Sequence, residues 1–509
     1  MKKKLINIVP ALFCIGIIIA GCTKLDKNIY NQVPEDEFFK TPQQVTAAIA
    51  PAYNPLTNIP AGSVFTLNEV ASDELIAPTR GNDWYDGGKW QALWNHAFKA
   101  DIDDVDLSWG DISRGITKCN FTLNLLNTLK EKPANVDQIN AEIKVLRAFY
   151  LFLFMDLYGN VPLVTDFQTD PSTVVTVPRK EVFAFIESEL NTNVPLLEDK
   201  TSSNYGHFNK WGGYMLLGKL YLNAQVYTGT PQWAKAEAAL DMVVKSGKYA
   251  LQPNFLDNFI VNNEGSVENI FVVPFDNINI HGNSIELNTL NYNSISTYNL
   301  TGQPYNGFCA PTAFYRSFTD NDLRKKMWLT GQQFSSTGEV LIDPATSLNV
   351  IISPYVLQFS NPADSFKFAG ARSVKYAPQP GTYGDTSNDG VIFRLADAYL
   401  MKAEAQLRAG TVTDALTLVN EVRTRAGVPA WTSRDFTLPN LLQERGREFA
   451  WEGWRRNDLI RFEVADGIKY FTGARVPGKP QDPDTHTFIY PIPAPQLISN
   501  PKLVQNPGY

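Results

Sequence analysis

The segment Ile139–Gly159, INAEIKVLRAFYLFLFMDLYG, limits the folds open to this chain more than any other stretch. Its apolar residues recur at helical spacing, and the run stops at a glycine, a residue that commonly ends helices. After Ala148, aliphatic and aromatic side chains fall on nearly every face. A helix that is apolar all round sits deep in a large core or in a bilayer. No segment after the N-terminal leader approaches membrane-spanning length, so the run is read as the central helix of a large helical body.

Other segments supply partners for it. Thr41-Pro42-Gln43-Gln44 combines an N-cap, a proline at the first helical position and a glutamine three residues on, so a helix should start there. A second helical period covers about 112–129. Two helix pairs follow, at about 209–227 with 231–246 and at about 391–409 with 412–425. Both carry Ala and Gly where two helices can approach closely, a grammar similar to that of tetratricopeptide repeats. Between about 250 and 390, Asn, Ser, Gly, Pro and Tyr rise and helical periodicity fades. ENIFVVPFD at 268–276 reads as a short strand there, and the rest as long loops, which in a compact body usually carry function. Helix returns at LLQERGREFAWEGWRRNDLIRF, 441–462. The fold class expected is mostly α, a helix-pair scaffold with long irregular loop regions.

The chain opens MKKKLINIVPALFCIGIIIAGC: three lysines, a short apolar run and small residues leading into Cys22. This is an export signal, with residues 1–21 as the cleaved peptide. Ile19-Ala20-Gly21-Cys22 resembles the lipobox of bacterial lipoproteins, which makes Cys22 the lipidation site and residues 22–509 the mature domain, anchored by acyl chains rather than inserted. Two other cysteines, Cys119 and Cys309, remain in the body; an oxidising compartment permits their pairing but no spacing predicts it. The formal charge is −7, and no Lys/Arg-rich run appears, so nucleic acid is not an expected partner.

Several segments, in order, resemble the SusD/RagB family of surface glycan-binding lipoproteins. They are Cys22 with KLD close behind it, LRAFYLFLFMDLYGNVPLV at 146–164 and GKLYLNAQVYTG at 218–229. FRLADAYLMKAEAQLRAG at 393–410 and VNEVRTRAG at 419–427 follow, then ERGREFAWEGWRRNDLIRF at 444–462 and YPIPAPQL through NPGY. The resemblance implies a tetratricopeptide-like helical scaffold, no enzymatic activity and no cofactor. It implies an outer-membrane, lipid-anchored protein exposed on the cell surface. It also implies a partner, a SusC-like TonB-dependent transporter, over which the protein sits as a lid while delivering an oligosaccharide or other nutrient. A lid or assembly subunit without ligand affinity and, less favoured, a surface glycoside hydrolase are the alternatives.

Local motifs add little enzymatic signal. Gly213 to Lys219 fits part of a phosphate-binding loop, but Leu220 replaces the Mg²⁺-ligating hydroxyl and the stretch reads as helix interior. Asp385-Thr386-Ser387-Asn388-Asp389-Gly390 starts like a calcium loop, yet Ala396 stands where the bidentate Glu belongs, so no metal is expected. Glu444, Glu448 and Glu452 follow an i, i+4 rhythm among Arg445, Arg447, Arg455 and Arg456. Those arginines would hold the carboxylates ionised, which suits an ion-pair network and not a general acid. The four histidines form no metalloprotease motif, and no catalytic residue is assigned.

The binding candidates are aromatic. Trp84, Trp90, Trp94 and Trp109 fall close together, and RGNDWYDGGKW, 80–90, combines rings with amides and carboxylates. A ring covers the C–H face of a sugar, while polar side chains pair with its hydroxyl rim. Asp73, Arg80, Asn82, Asp83, Trp84 and Tyr85 form the first candidate set. Tyr292, Tyr298, Tyr305 and Trp328 form the second, since in the family ligand residues come from both regions. Trp90 and Trp94, four apart, read instead as the buried stripe of a helix starting near Gly88. Trp84 and Tyr85 are neighbours, so at most one can point inward comfortably.

Overall fold

The computed structural model describes residues 42–509. The expected leader, the lipobox Cys22 and the capping Thr41 lie outside the described residues. Helices dominate: α1 (Pro42–Tyr53), α2 (Ser63–Val70), α3 (Lys89–Trp94), α4 (Asp103–Thr128), α5 (Val136–Tyr158), α6 (Arg179–Asn193), α7 (Lys210–Leu222), α8 (Trp233–Val244), α9 (Leu395–Ala409), α10 (Ala415–Arg425), α11 (Leu438–Phe449) and α12 (Arg455–Asp466). Among the described residues no helix is long and apolar enough to cross a membrane.

Helix α5 is the hub. Every residue from Val145 to Tyr158 is buried, and Gly159 ends the helix with a positive φ of 71°. Such all-round burial is what its continuous apolar surface demands. Helix α4 packs along it so closely that a Cβ on Gly115 would stand 2.4 Å from the Tyr150 ring. The Tyr150 hydroxyl then donates to the Ala52 carbonyl at 3.0 Å, tying α1 to the same seam. Gly115→Ala should therefore overpack the seam and cost about 1–3 kcal/mol. A lowered thermal midpoint with unchanged helix content would show it; an unshifted midpoint would mean the seam can relax.

The two helix pairs form as the sequence suggests, with shorter limits. Helices α7 and α8 make the first pair, and a Cβ on Gly218 would meet Leu240 at 2.5 Å, which is the close approach small residues permit. Helices α9 and α10 make the second, and α8 packs on α9, so pairs far apart in sequence stack into one scaffold. One element differs in type. Residues 391–394, read above as the first turn of a helix, belong to a strand, β2 (Gly390–Arg394), paired antiparallel with β1 (Asn269–Val273). Both strands are buried at every position, and β-branched and aromatic residues fill that environment well. The helix starts only at Leu395. Between α8 and α9 no helix exceeds five residues, so this part is an irregular excursion whose return is clamped by β1 and β2.

Helix is also interrupted at 450–454, where Trp451 and Gly453 take positive φ between α11 and α12. Cys119 and Cys309 are both buried and free. The stretch resembling a phosphate-binding loop is interior to α7. The calcium-like loop spends its donors on the protein: Asp389 accepts from the Phe275 amide and the Tyr205 hydroxyl, and Asn388 donates to the Phe259 carbonyl.

Candidate functional site

Two loops distant in sequence are joined by main-chain bonds. The Ile76 amide donates to the Cys309 carbonyl at 2.9 Å and the Cys309 amide to the Ile76 carbonyl at 3.0 Å. This brings 80–88 against 305–308. The first loop is sharply turned: Gly81, Trp84, Asp86, Gly87 and Gly88 all have positive φ. For Trp84 at 63° and Asp86 at 41° such a backbone costs of order 1–3 kcal/mol each, and strain of this kind gathers at functional sites.

The turn sends the adjacent aromatics in opposite directions. Trp84 folds back, its indole N–H donating to the Tyr305 carbonyl at 2.6 Å, with its ring 5.1 Å from Trp90 and 5.2 Å from Phe308. Gly307 lies beneath it, where a Cβ would stand 2.1 Å from the indole. Tyr85 faces outward and is 60 % exposed. Trp90 and Trp94 are the buried stripe of α3, as their spacing requires.

Around this pair the structure gathers several of the sequence candidates. Asp83, exposed, accepts a hydrogen bond from the Tyr292 hydroxyl. Tyr305 is 41 % exposed beside Trp84. Asn82 is exposed at the loop tip. Tyr298 is half-buried; its segment bonds to the neighbouring loop through the Gly381 amide and the Asn299 carbonyl, 2.9 Å apart.

Three candidates are taken up by the protein itself instead, two of them in its interior. Arg80 is 1 % exposed, and its guanidinium donates to the carbonyls of Phe366 and Gly307 and to Cys309. It fastens the loop from within and cannot reach a surface ligand. Trp328 is buried among Phe314, Phe318 and Trp451. Asp73 gives both carboxylate oxygens to Arg455, at 2.7 and 3.0 Å. It belongs to an ion-pair network away from the aromatic loops.

Tyr383 is the member the sequence reading missed. It is 44 % exposed, its hydroxyl donates to that of Tyr305 at 3.2 Å, and the two rings meet edge-on at 6.0 Å. A tyrosine in Gly381-Thr382-Tyr383-Gly384, between two glycines of positive φ, was the available signal. The result is an exposed aromatic corner: Tyr305 and Tyr383 in edge-on contact, Trp84 seated against the Tyr305 carbonyl, Tyr85 exposed on the same turn as Trp84, and Asp83 joined to Tyr292. Rings of this kind can stack on sugar faces while the carboxylate and phenols take hydroxyls. Gly307→Ala should push the Trp84 indole off its seat, at a cost of about 1–3 kcal/mol. Its check is tryptophan emission, which should shift to the red as the ring gains water, whereas unchanged emission would mean the seat accommodates a methyl group.

The carboxylates that suggested a hydrolase lie elsewhere, in the interior. Glu448 meets Arg324 at 3.0 Å, Arg394 at 2.6 Å and Arg425. Glu444 meets Arg324 at 2.8 Å and Arg423 at 2.5 Å. Burial alone would raise these carboxyls. The guanidiniums of Arg324, Arg447 and Arg423 outweigh it and bring Glu444 down to about 2, and those of Arg425, Arg394 and Arg324 hold Glu448 well below the ordinary range. Groups so held are ionised, buried and unable to act as a general acid on a surface substrate.

Comparison with known proteins agrees with this architecture. A model described as the SusD family matches residues 245–509, and a second, described as "Starch-binding associating with outer membrane", matches residues 25–222. The starch-binding protein SusD of Bacteroides thetaiotaomicron is 27 % identical, over 88 % of this chain and 85 % of that protein. Surface glycan-binding protein A from Bacteroides thetaiotaomicron superposes with a TM-score of 0.75 at 20 % identity, over 93 % of this chain and 100 % of that one. A structure of the same protein in complex with laminarihexaose gives 0.74 at 20 % identity, over 91 % and 99 %. The chain belongs to the SusD family.

Proposed function

We propose that this protein binds an oligosaccharide at the Tyr85–Tyr305–Tyr383 corner and delivers it to a TonB-dependent transporter barrel of the outer membrane. The observation that carries the reading is the assembly of this exposed corner from three segments distant in sequence, 80–88, 305–308 and 381–384, with Trp84 held behind it on Gly307. Relatives named for starch binding and for a laminarihexaose complex support the ligand class. The mechanism is binding: rings cover sugar faces, and Asp83 with its Tyr292 partner takes hydroxyls. Lipid at Cys22 would tether the mature domain, 22–509, to the membrane at the cell surface. A glycan array probed with the purified domain, together with co-purification of a barrel from native membranes, tests the reading. Failure of both would remove it.

One observation favours a wider role as a lid. The outer face of the hairpin formed by Gly331–Gln332 and Ile351–Ile352 and the residues between exposes Phe334, Val340, Ile342 and Ile351, while Leu341 and Val350 face inward. An apolar face of this sort suits contact with another protein, here the transporter barrel. Were the protein a lid alone, Ile342→Asp would abolish uptake and Tyr85→Ala would leave it intact.

A further inference from the structure

We infer that the corner selects uncharged oligosaccharides and turns away those bearing uronate or sulfate groups. This rests on the glycan-binding reading and goes further, to the charge of the ligand. Asp83 and Asp86 are both exposed on the loop that presents Tyr85. Among the described residues their side-chain partners are neutral: the Tyr292 hydroxyl for Asp83, and the Trp90 indole N–H, at 2.6 Å, for Asp86. Among the described residues neither forms an ion pair. Asp385, 47 % exposed, adds a third carboxylate beside Tyr383, and among the described residues its one ion-pair partner is His281 at 3.3 Å.

Four cations on or beside these loops are engaged within the protein. Arg80 and Arg372 are buried, and both give their guanidiniums to main-chain carbonyls. Lys89 is held by Asp103 at 3.1 Å and Asp104 at 3.0 Å, and Lys367 stands 3.9 Å from Asp343. The buried guanidiniums of Arg80 and Arg372 offset part of this charge from beneath, but a ligand meets the exposed carboxylates first, and a glycan carboxylate or sulfate finds no accessible guanidinium fork on these loops among the described residues. Sugar hydroxyls, by contrast, donate to these carboxylates in charge-assisted bonds.

The purified protein would be titrated in EDTA with laminarin, soluble starch and galactomannan, and with alginate, polygalacturonate and chondroitin sulfate. EDTA prevents a divalent ion from bridging carboxylates. The expected result is binding to at least one neutral probe, with every anionic probe at least about tenfold weaker at low salt, where repulsion is least screened. Exchanging Asp83→Asn together with Asp86→Asn should narrow that gap by about threefold or more. An anionic probe that binds more tightly than every neutral one, and is lost on Tyr85→Ala, overturns this inference while leaving glycan binding intact. Binding of no probe at all defeats the glycan-binding reading, and this selectivity with it.

Discussion

Glu448→Ala should destabilise the protein by about 3–5 kcal/mol, a large fraction of the stability of an ordinary folded domain. Glu448 is fully buried and faces three guanidiniums, of Arg324, Arg394 and Arg425. Arg324 comes from the loop-rich excursion, Arg394 from the end of β2, and Arg425 from the last turn of α10. Removing the carboxylate leaves buried positive charge with fewer partners, and that loss exceeds anything packing can recover. An exposed pair serves as the control: Lys235→Ala, which breaks a 2.8 Å contact with Glu187 at the surface, should cost less than about 1 kcal/mol. Equal thermal midpoints for Glu448→Ala and the native chain would show that the network carries no net weight. The same groups set an acid limit. The carboxyls of Glu444, Glu448 and Asp458 lie below their unfolded values, so their stabilisation is present above about pH 4. It is lost as pH falls through the folded values, so unfolding should begin below about pH 4 and deepen toward about pH 2, where Glu444 titrates.

Features that depend on local pattern were readable, and those that depend on a distant partner were not. The α5 segment announces its own burial because no face of it is polar enough for water. The stacking of α7 with α8 follows from glycine placed opposite leucine. By contrast, VIFRLADAYL runs from strand into helix with no glycine, proline or capping side chain between them, and only β1, more than a hundred residues earlier, makes its first part a strand. The site divides along the same line. Arg80 and Trp328 have side chains suited to sugar recognition, but their depth is set by loops that the sequence does not place beside them. Arg80 is drawn inward by the carbonyls of Gly307 and Phe366. Which of Trp84 and Tyr85 points outward is decided by a positive φ at Trp84, a conformation that residue rarely takes. Tyr383 reaches the site through the Thr301 amide, which donates to the Thr382 carbonyl at 2.9 Å. No local pattern encodes that bond.

Tyr85→Ala and Tyr305→Ala should each weaken binding of the best neutral oligosaccharide by about 10- to 100-fold, which is about 1.4–2.8 kcal/mol of lost stacking per ring. The thermal midpoint separates this effect from damage to the fold. Tyr85 is 60 % exposed and among the described residues makes no ring contact or side-chain hydrogen bond, so its loss should leave the midpoint unchanged. Among the described residues the Tyr305 hydroxyl has one side-chain partner, that of Tyr383, so Tyr305→Phe should keep the ring, release that bond and retain most of the affinity. Trp84→Ala should behave differently. It empties the space over Gly307, removes the bond to the Tyr305 carbonyl and strips contacts from Trp90 and Phe308, so affinity and midpoint should fall together. If Tyr85→Ala and Tyr305→Ala both bind like the native chain, the corner is not where sugar rests. If Trp84→Ala alone abolishes binding, the ligand reads the indole directly and the loop must open to admit it.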